Sequence, residues 1–530
     1  MVHSVNNVPQ GASDRSGASE IKERPTRSQL FTFVTGRRLL VFFFMVMIFA
    51  AAVRPITDPD FWWHLKAGQY IVETRSIPHT DIFSTLRFGS EWVTHEWLSE
   101  VFMYSAYRAS GFGGLMVLFA IVITIAFWIT YRRCETRAPH PYVAGFALLI
   151  GAAATIPTWG VRPQMFSILF ASLFLAILDR FCRSEKTGLI WWLIPLMVLW
   201  VNMHAGFAVG LALILLVIVG LAIDARIRHN ASLASIWKSI RRLCLLWVLA
   251  VAAVSVNPAG LRIYSYPFET LRSYTQMRYI QEWRSPNVQD PTFLALLILI
   301  VLTFCVLALS NKRPRPGEML ILLATFVATM RSARNVPFFA LVATPLLAGH
   351  LWSWYSAHKS IKSQGSSDDP AVGQKVGGLV VARKVFLLGL LPVIVAILIA
   401  RQVVAKQPQV EAKNFPVAAV EFIKSQNVPQ PIYNEYHWGG YLIWKLYPQY
   451  RVYIDGRADV YGDALMEEFF TVHDGERSWR KPLDNYGIRT VLVEPDTAIA
   501  SLLREDPGWQ KVFEDQQAVI FIRSQSSKRS

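Results

Sequence analysis

The chain has 530 residues, 53% of them hydrophobic and only 17% charged, with a mean hydropathy of +0.32. A soluble chain of this length would split into several cores and carry about 25% charged residues, so a soluble enzyme is disfavoured. The net charge is +16, but residues 402–530 hold 15 basic and 17 acidic side chains, so the excess lies in the apolar part and marks membrane topology instead of a nucleic-acid groove.

Residues 1–38 read as a disordered cytoplasmic tail, polar and rich in Gly and Ser. The run 39–49 followed by Ala50–Ala52 mimics a signal-peptide cleavage site, but the lead before it is long and further apolar runs follow. An uncleaved first helix is expected.

Apolar stretches recur at 39–53, 113–131, 142–158, 164–181, 188–201, 207–223, 243–256, 292–309, 318–330, 336–352 and 385–400. A hydrocarbon core of roughly 30 Å takes about 20 residues of helix. The pattern predicts an α-helical polytopic membrane domain over 39–401 with about 11 transmembrane helices, the shorter ones borrowing residues from their flanks. With residues 1–38 inside, the inner segments collect 25 Lys and Arg and the outer loops 12. The positive-inside rule selects that direction, with the N-terminus cytoplasmic and residues 402–530 outside a cell (inner) membrane. Cys134, Cys182, Cys244 and Cys305 lie in or beside apolar runs without metal spacing.

The unusual polar residues then fall on one face. The large outer loop 54–112 opens with Asp58-Pro59-Asp60-Phe61-Trp62-Trp63-His64 and continues through His79-Thr80-Asp81 to Trp92-Val93-Thr94-His95-Glu96-Trp97. Helical spacing follows Glu96, with Thr94 as expected N-cap and Trp92 and Trp97 as interfacial anchors. Later outer turns add Arg162-Pro163-Gln164, Asn202-Met203-His204, Glu282, Arg331 and Arg334. Carboxylates beside a membrane can deprotonate a hydroxyl or hold a divalent cation, and guanidinium groups match phosphate. Each feature also has a plain reading: Asp-Pro-Asp as a turn, Glu96 as a helix-dipole partner, the histidines as loop residues and the arginines as snorkelling side chains. The constellation, more than any single member, argues for a site.

After Arg401 the composition is that of a soluble domain, and alternating helix and strand patterns predict a small extracytoplasmic α/β domain over 402–530. Strands are expected at 431–436, 451–455, 490–494 and 518–523, and helices at 416–426, 439–446, 463–470 and 497–504. The aromatic cluster that includes Trp438 and Tyr441, with Asp455-Gly456-Arg457 at a strand end, is either core or a glycan-docking surface.

The stretches Asp58–His64, Trp92–Leu98, Arg162–Gln164, Asn202–Gly206, Gly439–Leu442 and Ile454–Arg457 together resemble a poorly characterised subgroup of bacterial multi-pass glycosyltransferases of the GT-C class. That superfamily includes protein mannosyltransferases and lipid A aminoarabinose transferases. The resemblance covers nearly all of residues 39–523 and implies a polyprenyl-phosphate-linked sugar donor, an outer active site and inversion at the anomeric carbon. By position it makes Asp58 and Asp60 the base or the ligands of a divalent cation (Mg or Mn), without saying which acid is the base. His64, His79, Asp81, His95, Glu96, Asn202, His204 and Glu282 are candidate supporting residues, and Arg162, Arg331 and Arg334 candidate donor-phosphate ligands. Trp438, Tyr441, Asp455 and Arg457 are the candidate acceptor contacts for a glycan, lipid or protein acceptor. The bilayer itself is a partner; nucleic acid is not. A lipid-sugar transporter or flippase, or a non-catalytic membrane scaffold, are the competing readings. Transporters place ionisable groups near the midplane, whereas here they gather at one face.

Overall fold

The structure, a computed structural model, describes residues 36–184, 187–227, 233–363 and 378–524. Residues 1–35 of the expected disordered tail lie outside the described residues.

Each of the eleven apolar runs is helical. In chain order the helices are α1 (Gly36–Ala52), α2 (Asp60–Thr74, within the first outer loop), α3 (Trp97–Arg137), α4 (Pro141–Thr155), α5 (Gln164–Ser184) and α6 (Leu193–Met203). Then come α7 (Phe207–Ile227), α8 (Leu233–Val254), α9 (Leu294–Leu309), α10 (Pro316–Arg331), α11 (Val336–Ser363) and α12 (Gly378–Ala405). Among the described residues, six are long and apolar enough to cross a membrane alone, and a bent pair ending at Asn414 would make a seventh. Helices α1 and α10 stop just short, at 17 and 16 residues.

The interfacial helix expected after Glu96 is the first part of α3, which runs for 41 residues and turns at Gly111 (φ 64°, ψ −166°). Only glycine reaches that conformation without steric cost. Two details differ from expectation. The Thr94 hydroxyl donates to the Pro78 carbonyl at 2.5 Å instead of capping the helix, which begins at Trp97 with Glu96 in the N-cap position. Trp92 is buried under the tail instead of anchoring at a lipid surface.

The bundle is held by close backbone approach and by charge. A Cβ on Gly220 would lie 2.2 Å from Gly317 Cα, so α7 and α10 touch backbone to backbone. At the end opposite the large outer loop, Arg133 and Arg137 of α3 pair with Asp179 of α5 at 2.8 and 3.2 Å, and Arg137 with Glu318 of α10 at 2.7 Å.

The tail is α/β, with a four-stranded sheet of order β1-β2-β4-β3. Strands β1 (Ile432–Asn434) and β2 (Thr490–Val493) are parallel and wholly buried; β4 (Val519–Arg523) pairs antiparallel with β2 and with β3 (Trp509–Glu514). Strand β3 was not expected, since its Gln, Lys and Glu break the apolar pattern at a sheet edge. The strand expected at 451–455 does not join the sheet. Val452 instead bridges Ser84 of the first outer loop, with Thr85 N–H donating to Val452 O at 2.8 Å and Val452 N–H to Phe83 O at 3.1 Å. Tail and loop are therefore stitched into one body.

Gly220→Leu should force α7 and α10 apart and cost about 1–3 kcal/mol by overpacking. A lowered melting temperature of the detergent-solubilised protein is expected, whereas Gly188→Leu, with open space around it, should leave it unchanged.

Candidate active site

The loops at one end of the bundle and the tail enclose a cavity of about 450 Å³. Asp58 follows α1, and Asp60 opens α2, where a carboxylate favours the helix dipole. The Asp60 N–H donates to Asp58 Oδ1 at 2.9 Å, and Trp63 Nε1 donates to Asp60 Oδ1 at 3.2 Å. The Asp-Pro-Asp turn thus presents both acids side by side.

Arg162, from the turn before α5, spans two carboxylates. Its Nε lies 3.0 Å from Asp58 Oδ2, its Nη2 donates to Glu282 Oε2 at 3.1 Å, and its Nη1 reaches Glu282 Oε1. Gln164 Nε2 donates to the Arg334 carbonyl at 3.3 Å, which fixes the turn before α11 beside it. The Arg334 guanidinium lies over the Trp283 ring, 5.1 Å from its centroid, and has no carboxylate partner among the described residues. It makes no ion pair at contact distance, but its charge helps to hold Glu282 ionised.

Deeper in, Glu96 is surrounded by three imidazoles: His95 Nε2 at 2.9 Å, His64 Nε2 at 3.5 Å and His204 Nε2 at 3.8 Å. The Gly206 N–H donates to His204 Nδ1 at 2.9 Å, so the neutral ring carries its proton on Nε2, towards Glu96. Ser167, which accepts from Trp200 Nε1 at 2.7 Å, lies 2.7 Å from the same Nδ1.

The charges follow from burial and neighbours. Burial, then the adjacent Asp58 carboxylate, pushes Asp60 up to about 7. Burial also raises Asp58, with Arg162 pulling the other way. Burial disfavours a charged Glu282, but Arg162 and Arg334 outweigh it and bring the carboxyl down to about 2. Burial lowers His64 and His204 to about 3, against the pull of Glu96, and both are neutral at neutral pH. For His95 the neighbouring Glu96 outweighs burial and raises the pKa. Burial likewise opposes ionisation of Glu96, but His95 above all holds it below its ordinary 4.5.

The cavity thus collects Asp58, Asp60, His64, His95, Glu96, Arg162, His204, Glu282 and Arg334. Other expected residues lie elsewhere. His79 and Arg331 are exposed and do not line the cavity. Asn202 pins turns together, accepting from Trp97 Nε1 at 2.7 Å and donating to Val256 O at 2.7 Å. Asp81 is fully buried in an ion pair with Arg457. Trp438, Tyr441 and Asp455 are at most 1% exposed, so they offer no face to a glycan, and Arg457 spends its donors internally although it borders the cavity. Packing of the tail onto α2 encloses them: Tyr441 meets Trp62 edge-on at 5.1 Å.

Several residues were not anticipated. Glu100, one helical turn after Glu96 and 3.3 Å from His64 Nδ1, was legible from its spacing. Gly456 and Asp459 of the tail belong with the Asp455-Gly456-Arg457 strand end that the sequence marks, and Trp283 adjoins Glu282, but Tyr266 and Tyr279, in the loop between α8 and α9, had no local signal. That loop lies over the cavity and docks on the tail: Ser273 and Thr275 hydroxyls donate to Asp463 Oδ1 at 2.6 and 2.5 Å, and Tyr279 stacks on Phe470 at 3.6 Å.

Among the described residues, no group of three or more His, Cys, Asp or Glu side chains is arranged to hold a metal ion. Asp58 and Asp60 form only a pair, and a cation between them would displace the Arg162 guanidinium from Asp58.

No family model matches the chain, and no curated protein matches it. Solved structures do. ArnT from Cupriavidus metallidurans bound to undecaprenyl phosphate is similar with a TM-score of 0.50 at 15% identity, over 94% of this chain and 98% of that one. The archaeal oligosaccharyltransferase AglB from Archaeoglobus fulgidus, in complex with an inhibitory peptide and a dolichol-phosphate, is similar with a TM-score of 0.50 at 12% identity, over 92% and 74%. The chain has the multi-pass membrane fold of these proteins, with a small α/β domain at its C-terminus.

Proposed function

We propose that this chain is an integral-membrane glycosyltransferase that moves a sugar from a polyprenyl-phosphate donor to a hydroxyl acceptor, with inversion, at the outer face of the inner membrane. The product would be a modified cell-envelope glycan or glycolipid. The observation that carries the reading is the cavity itself, where two adjacent carboxylates face two guanidinium groups at one end of an apolar helical bundle. Both similar solved structures hold a lipid phosphate, and the basic rim of the sequence assigns the cavity to the outer side. A polar site among end loops favours transfer over transport, which needs ionisable groups near the midplane.

In this reading Asp60 takes the acceptor proton, since Asp58 is engaged by Arg162. The acceptor oxygen bonds to the anomeric carbon while the bond from that carbon to the phosphate oxygen breaks, and the phosphate leaves with the electron pair. Arg334, which makes no ion pair among the described residues, meets the phosphate, and Arg162 sets the position of Asp58. A phosphate leaving group needs little protonation. Because the pair fits a guanidinium already, no step is assigned to Mg or Mn.

Asp60→Asn should lower kcat by about 10²–10⁴-fold, the usual worth of a general base. Full transfer activity in Asp58→Asn, Asp60→Asn and the double variant, assayed in purified membranes with labelled donor, would end the assignment. The base works deprotonated, so kcat/KM of the wild type should rise as pH climbs through about 7, and Asp60→Asn should lose that limb. Arg334→Ala should raise the donor KM on the order of 10²-fold, as loss of a buried charge contact implies, whereas Arg331→Ala should leave it unchanged. Transfer that survives EDTA is expected; loss on chelation with recovery in Mg or Mn would give the acids a cation instead.

A further inference from the structure

The tail meets the carboxylate pair through glycine. A Cβ on Gly456 would lie 1.6 Å from Asp60 Oδ1 and 2.7 Å from its Cγ, and one on Gly440 would lie 2.5 Å from Pro59 O. Gly456 is not among the glycines with positive φ, so what the position requires is the absence of a side chain. Asp60 therefore sits between Trp63 Nε1 on its own helix and the Gly456 backbone of the tail.

The next residue fastens this wall. Arg457 Nη1 donates to Asp81 Oδ1 at 2.7 Å, while its Nε and Nη2 donate to Asp455 at 2.8 and 2.7 Å. Its guanidinium lies over the Trp92 ring at 4.6 Å. Asp81 and Asp455 are fully buried and Arg457 is 2% exposed, so the triad is sealed from water. Such a cluster holds only while every member has its partner, because loss of one leaves a buried charge uncompensated. It joins two parts of the chain 376 residues apart.

We propose that Gly456 and Arg457 are positioning residues for Asp60: the tail supplies one wall of the carboxylate's seat, and Arg457 clamps that wall to the first outer loop. This rests on the reading of Asp60 as the base. It gives the tail a part in the chemistry through the geometry of a side chain on another domain. An acceptor-docking role for Trp438 and Tyr441 would need exposed aromatic faces, which these two lack.

The test uses the full chain in membranes. Gly456→Ala should lower kcat on the order of 10²-fold, the cost of roughly 1 Å of misplacement, with donor KM unchanged. In an Asp60→Asn background the same substitution should cost nothing further, whereas independent, multiplying losses would overturn the proposal. Should Gly456→Ala fail to accumulate, Arg457→Lys keeps the charge but loses the fork, and should show the same kcat loss with the same dependence on Asp60. A readout without activity separates the two ideas. In Asp60→Cys/Gly456→Cys a disulfide should form under mild oxidation, mapped by peptide analysis against each single variant. No cross-link would overturn the placement. A cross-link in a protein whose Asp60→Asn variant transfers normally would overturn the base reading and leave the wall standing.

Discussion

Arg162 holds the site together. It draws the acid that follows the first helix and the acid of the loop before α9 onto one guanidinium, although they are far apart in sequence. Two carboxylates so close would repel in a water-poor cavity; a single planar cation with several donors makes the arrangement stable and directional. Once Arg162 is fixed, it opposes the burial that raises Asp58, Asp60 is pushed up to about 7, and the Arg334 guanidinium is left over the Trp283 ring without an ion pair among the described residues. The chemistry follows from that partition.

The second layer, around Glu96, serves a different end. Three imidazoles converge on one carboxylate; burial outweighs attraction at His64 and His204, whereas Glu96 outweighs burial at His95. The layer ties α2, the start of α3 and the turn before α7 at a common point. It fixes where α2 begins, and hence where Asp60 points.

Much of this was legible in the chain. Hydropathy located every long helix, because a bilayer admits few charges and few irregular segments. Motifs such as Asp58–His64 and Arg162–Gln164 announced themselves by being polar where helices end. What was hidden depends on long-range packing. Asp81 and Asp455 looked like free acids and Trp438 like a platform, since nothing nearby in sequence tells that a tail hundreds of residues on will bury them. Gly456 looked like a turn residue, although its value lies in what it does not carry. Residues 451–455 had a strand's pattern, and their partner proved to be a loop of the membrane domain, which no local reading identifies.

The cover over the cavity is fastened unequally. On the tail side a water-free triad of Asp81, Arg457 and Asp455 joins it to the membrane domain. On the side of the α8–α9 loop, two hydroxyls share one oxygen of the exposed Asp463, supplemented by a single ring stack. Opening a solvent-exposed hydrogen bond costs far less than parting a buried ion pair, which leaves a charge uncompensated away from water. The weak seam therefore runs along residues 273–279, and thermal breathing of the chamber should begin there, lifting a flap while the hinge beside Asp60 stays shut.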